Sequence, residues 1–128
     1  MDLKKTAEAL FQSTVMQKAE QMKEYFLEEA LINWHNTNEC FSLDEYIRAN
    51  CEYPGNWLCT VERIELTGNV VILVGAVKSK DSLVAFHVTS FYEFKEDKVI
   101  KLEEYWGEDG EAPQWRIDMN IGRPVNNI

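Results

Sequence analysis

Hydrophobic positions in the first quarter of the chain recur at steps of three and four. Leu3, Ala7, Leu10, Phe11, Thr14, Val15 and Met22 thereby gather on one helical face. Asp2 stands where an N-cap belongs, and no glycine or proline interrupts the run before Asn33. The spacing fits one long helix or two in succession, and we expect a bend near Gln21 with a shorter helix through Glu28. LINWHN (31–36) is short, partly aromatic and β-branched, which predicts a first strand. SLDE (42–45) has the form of a capping box, in which a serine hydroxyl and a glutamate side chain satisfy each other's loose helix-end amides. The helix it starts should turn Leu43, Tyr46, Ile47 and Cys51 inward. It should end at Tyr53-Pro54-Gly55, because proline cannot continue it.

Beyond Gly55 the period drops to two. WLCTVERIEL, VVILVGAV, LVAFHVTSFYEF and VIKLEEYW are separated by the turn segments TGN, KSKDS and KEDK. Loops this short join neighbours in an antiparallel meander. The tail APQWRIDMNIGRPV alternates Trp115, Ile117, Met119 and Ile121, and should lie extended along the body. Helices first and a long antiparallel sheet afterwards predict an α+β domain spanning 1–128. VVILVGAV and LVAFHVTSF are apolar on both sides, which a sheet with one wet face would not need. One face should meet the helices and the other a second copy of the chain, or else the C-terminal tail.

At 128 residues the chain can bury a single real core. Its 22 acidic and 13 basic residues leave a formal charge of −9, which repels a phosphate backbone or an anionic bilayer and argues against nucleic-acid and membrane partners. No apolar run approaches the about 20 residues that span a bilayer. MDLKKTAEALFQ lacks the apolar core and cleavage site of a signal peptide. Cys40, Cys51 and Cys59 are odd in number and form no C-x-x-C pair, so reduced, buried thiols and a cytoplasmic location are expected. Two isolated histidines supply no metal-ligand set. Phosphate-loop, dinucleotide and nucleophile-elbow motifs are absent, and no cofactor is expected.

FLEEALINW, a short helix, YPGNW, VERIELTGN and HVTSFYEFKEDKVIKLEEYW together resemble the nuclear transport factor 2-like superfamily, and within it the SnoaL-like (polyketide-cyclase-like) proteins. The resemblance covers nearly the whole chain. It implies a cone-shaped α+β barrel, with helices held in a curved sheet around a pocket, and dimerisation through the sheet. It does not imply one activity, since members include isomerases, dehydratases, cyclases, epoxide hydrolases and proteins with no reaction.

With that fold, the apolar side of VIKLEEYW (Ile100, Leu102, Glu104, Trp106) points into the cone. Trp106 matches the cavity tryptophan that ends the same strand in the similar steroid isomerases. A carboxyl facing an apolar pocket has its charged form disfavoured, which places Glu104 as the candidate acid–base. The alternative is a solvated Glu104 or one paired with Arg63 or Arg116. On the preceding strand, Phe86, Val88, Ser90 and Tyr92 form the better pocket wall, with His87 on the outer side. A one-residue bulge would reverse this and make His87 a general base. Trp34, Tyr53 and Trp57 are further flat surfaces suited to a small apolar ligand.

Steroid isomerases use an Asp base with a Tyr and a protonated Asp. Ungapped matching puts Trp34 at the base and Ser90 at the protonated acid, so that chemistry is not carried over. A cofactor-independent isomerase, lyase or cyclase, a non-catalytic ligand-binding protein, and a homodimeric interaction module with a vestigial pocket all remain open.

Overall fold

A computed structural model describes residues 2–125. Helix α1 (Leu3–Val15) starts at Asp2, whose carboxylate accepts the Lys4 and Lys5 amides, and α2 (Ala19–Lys23) follows after a break. The break falls at Met16–Lys18 rather than near Gln21, with Gln17 in the left-handed region at φ 60°. Strands β1 (Phe26–Trp34) and β2 (Glu39–Ser42) form a hairpin, α3 (Leu43–Cys51) follows, and β3 (Trp57–Thr67), β4 (Val70–Ser79), β5 (Ala85–Lys95) and β6 (Lys98–Glu108) make the meander. A short α4 (Gln114–Asp118) ends the described chain.

The sheet order is β2-β1-β6-β5-β4-β3. All neighbours are antiparallel except β1 and β6, which run parallel. Helix α1 packs on β3 and β4, and α3 on β1 and β2. Leu10, Met22, Ile32, Val71, Leu73, Val88, Phe94, Val99 and Leu102 fill the space between them. The result is an α+β cone whose curved sheet holds the helices but does not close, since β2 and β3 are free edges.

Several local expectations differ from what forms. Residues 26–28 are strand, not helix. Phe26, Ala30 and Ile32 become buried by pairing alongside β6, and that tertiary gain outweighs the helical leaning of FLEEA. His35–Asn38 is a turn rather than the end of a strand, and the short β2 carries no apolar alternation that would have signalled it. The tail does not lie along the body. It forms α4, every residue from Gly107 to Val125 is exposed, and the tail therefore covers neither face of the sheet. Cys51 and Cys59 are partly buried and burial pushes their thiols up, but Cys40 is exposed on β2.

Two β-bulges re-aim side chains. In β6 the register shifts between Glu93↔Lys101 and Phe94↔Val99, so Val99, not Ile100, is the fully buried residue at that end. In β3 the shift between Val61 and Arg63 leaves Glu62 as the extra residue.

The capping box forms as the sequence predicts, with Ser42 Oγ accepting the Glu45 amide at 3.3 Å and Glu45 Oε1 accepting the Ser42 amide at 2.9 Å. It sets the start of α3 and hence the side on which Tyr46 enters the core. Gln17 fixes the other end, its amide donating to the carbonyls of Asn50 (2.9 Å) and Tyr53 (2.7 Å).

Gly75 gives α1 its seat on β4. A Cβ there would lie 2.4 Å from Phe11 Cζ, so the helix sits where only glycine fits. Gly75→Ala should cost about 1–3 kcal/mol in urea denaturation. A double-mutant cycle with Phe11→Leu should show coupling, because the smaller ring vacates the contested space.

Candidate functional site

The register brings three polar side chains to one point. Trp34 on β1 is the direct neighbour of Glu104 on β6, and Ser90 on β5 is its neighbour on the other side. Residues directly opposite one another on adjacent strands project from the same face, so all three point towards the helices. Tyr46 descends from α3 onto the same carboxylate.

Glu104 is 2% exposed and holds three hydrogen bonds. Trp34 Nε1 donates to Oε1 at 3.0 Å, Tyr46 Oη to Oε1 at 2.9 Å, and Ser90 Oγ to Oε2 at 2.6 Å. Burial raises the Glu104 pKa, and the hydrogen bonds from Ser90, Trp34 and Tyr46 counter only part of that rise. The Tyr46 and Tyr92 hydroxyls are pushed well above their ordinary range, first by burial and then by the nearby Glu104 charge. Two of the three donors are hydroxyls, Tyr46 from the helix side and Ser90 from the sheet. No ion pair reaches Glu104 among the described residues, and Arg63 pairs with Glu65 instead.

Above Glu104 lies a cavity of about 380 Å³. Its walls are Phe11, Thr14 and Val15 of α1, Gln17 beyond it, Ala49 and Asn50 of α3, and Trp34, Trp57, Val77, Phe86, Glu104 and Trp106 of the sheet; Asn36, Thr37 and Tyr53 complete the lining. The rings form a connected wall. Tyr53 stacks on Trp57 (5.4 Å), Trp57 tilts against Phe86 (6.0 Å), Phe86 meets Trp106 edge-on (6.1 Å), and Trp106 meets Trp34 (6.5 Å). The Trp57 indole is fixed by donating to the Pro54 carbonyl at 3.1 Å. The Trp106 indole N–H is buried without a hydrogen-bond partner among the described residues.

Of the residues named from sequence, Trp34, Tyr53, Trp57, Phe86, Trp106 and Glu104 line this cavity together. Val88, Ser90 and Tyr92 do not. They are buried in the core instead, and Ser90 meets the site only by donating to Glu104.

His87 faces away from the cavity. β5 has no bulge before Glu93, so His87 keeps the outward phase, where Nδ1 lies 2.5 Å from Asp109 Oδ1 and Nε2 3.3 Å from Glu62 Oε2. The Asp109 hydrogen bond leads in raising its pKa. With nearly half its side chain exposed, it belongs to a solvated ion cluster. Glu103 also points outward, to His35 (3.0 Å) and Asn33 (3.4 Å). Burial pushes Glu103 up, but those two partners and Lys101 outweigh it and leave the pKa lowered.

Sequence reasoning missed Tyr46 and Phe11 as site residues. Tyr46 reads as one more inward position of α3, and nothing local says that its hydroxyl meets a carboxylate 58 residues away.

This arrangement of helices and sheet recurs in solved structures. A proposed ketosteroid isomerase from Kribbella flavida superposes with a TM-score of 0.79 at 22% identity, covering 96% of this chain and 90% of that one. An NTF2-like protein of unknown function from Burkholderia xenovorans gives 0.75 at 18%, covering 95% and 94%. The chain has the NTF2-like fold. IdmH, a proposed polyketide cyclase from Streptomyces antibioticus, is similar at a TM-score of 0.69 and 12% identity, covering 85% of this chain and 93% of that one. No protein-family model matches the sequence, and comparison with characterised sequences finds no relative.

Removing the Ser90 hydroxyl should cost about 1.5–3 kcal/mol, the worth of a hydrogen bond to a charged group. Ser90→Ala in chemical denaturation at neutral pH tests this. The pH dependence has a definite sign. A carboxyl whose pKa is higher folded than unfolded binds the proton more tightly when folded, so its contribution falls as pH rises from the unfolded to the folded pKa. Losing a donor widens that window, and the cost of Ser90→Ala should shrink at acid pH.

Proposed function

We propose that the protein binds a small, mostly apolar molecule in the aromatic cavity, and that Glu104 exchanges a proton with it in a cofactor-independent isomerase, lyase or cyclase reaction. One observation carries this reading. The only carboxylate in the lining among the described residues is buried beneath a wall of rings with its pKa raised, which brings a glutamate towards the range where it can both take and give a proton.

A second reading, binding without turnover, is favoured by a different observation. Both Glu104 oxygens are already engaged, and His87, the candidate second base, lies on the opposite face. The two readings differ in one variant. If Glu104 carries catalysis, Glu104→Gln should lower turnover by about 10²–10⁴-fold while the ligand still binds. If the protein only binds, the variant should lose affinity and there is no turnover to lose. The ligand is found first by native mass spectrometry of freshly purified protein. Added mass that disappears on denaturation supports the binding reading, and a protein that carries and accepts no small apolar compound overturns it.

The outer sheet face is proposed as a surface for a second copy of the chain. Val70, Ile72, Val74, Ala76, Thr89 and Phe91 alternate outward on β4 and β5 and remain partly exposed, and the tail leaves them uncovered. The same spectrum should show a dimer. Phe91→Lys, which puts a charge at the centre of that face, should shift it to monomer without emptying the cavity.

A further inference from the structure

We infer that the ligand class of this cavity is a small organic ammonium cation, a protonated amine with apolar substituents; this rests on the cavity being the binding site. Among the described residues, six aromatic side chains and one carboxylate line the cavity, and no lysine, arginine or histidine does. Glu104 is held by three donors that are all uncharged, so nothing on the described chain neutralises its anionic form. A buried charge that meets only dipoles lacks a counter-ion, and a cationic ligand supplies one.

The geometry leaves room for that contact. Oε1 accepts from both Trp34 and Tyr46, but Oε2 accepts only from Ser90 and keeps a lone pair for a ligand N–H. The carboxylate is already out of water in the folded protein, so its own desolvation is not a cost of pairing; the ligand's desolvation and lost freedom are. Around it, the faces and edges of Trp34, Trp57, Phe86 and Trp106 can surround the alkyl arms of an ammonium, and aromatic faces attract positive charge. The net charge of −9 draws cations towards the mouth rather than anions.

The test compares N,N-dimethylbenzylamine with isobutylbenzene, which replaces the nitrogen by an uncharged carbon of the same shape. Binding to the full chain is followed at neutral pH by isothermal calorimetry and by tryptophan fluorescence. The amine should bind about tenfold or more tightly than the hydrocarbon, although the hydrocarbon is the more hydrophobic of the two. Glu104→Gln should abolish that preference and leave the hydrocarbon's affinity within about twofold. Equal or tighter binding of isobutylbenzene to the wild type overturns the cation inference and leaves the cavity standing as an apolar site. Binding of neither compound up to millimolar concentration overturns both.

Discussion

A carboxylate taken out of water must find donors or accept a proton, and the interior of this protein is arranged around that requirement at Glu104. Its three donors come from three separate elements. Trp34 arrives on β1, Ser90 on β5, and Tyr46 on α3. Each depends on a register set elsewhere. The parallel pairing of β1 with β6 places Trp34, the β5–β6 hairpin places Ser90, and the capping box at Ser42 sets the phase of α3 and thus Tyr46. A slip of one residue in either strand would swing a donor to the far side of the sheet and leave the carboxylate short.

The same strands divide their acids by face. Glu103 and Glu104 are adjacent in sequence, yet one lies outside with His35, Asn33 and Lys101 nearby, and the other lies inside among neutral partners. Opposite pKa directions follow from that one alternation. The outer face also holds His87, so the histidine and the buried carboxylate cannot share a proton across the sheet. What the cavity offers a ligand is therefore one ionisable carboxyl, backed by hydroxyls, at the foot of a wall of rings.

Much of this was legible in the chain because it depended on local pattern. Period two after Gly55 gave the meander, SLDE gave the start of α3, and the apolar phase of VIKLEEYW put Glu104 inside. What was hidden depended on distant pairing. FLEEA carries helix-forming residues, and only the flank of β6 makes it a strand; β2 is too short and too exposed to leave a pattern. Sequence matching put the acids of the steroid-isomerase pattern on Trp34 and Ser90 and found neither able to act as one. In three dimensions those two positions flank Glu104 and donate to it, so the carboxylate of this chain stands on the strand between them. That relation needs the parallel β1–β6 register, which no local signal announces.

Among the described residues Glu104 is the one buried carboxyl, satisfied by neutral donors and harder to ionise than an ordinary glutamate. Carbon-detected NMR titration of the Glu104 side-chain carboxyl, with the resonance assigned through its loss in Glu104→Gln, tests it most directly. Its midpoint should lie above that of the exposed glutamates of the same chain. A midpoint at or below theirs would contradict it, because the three donors would then outweigh burial and Glu104 would be a fixed structural anion.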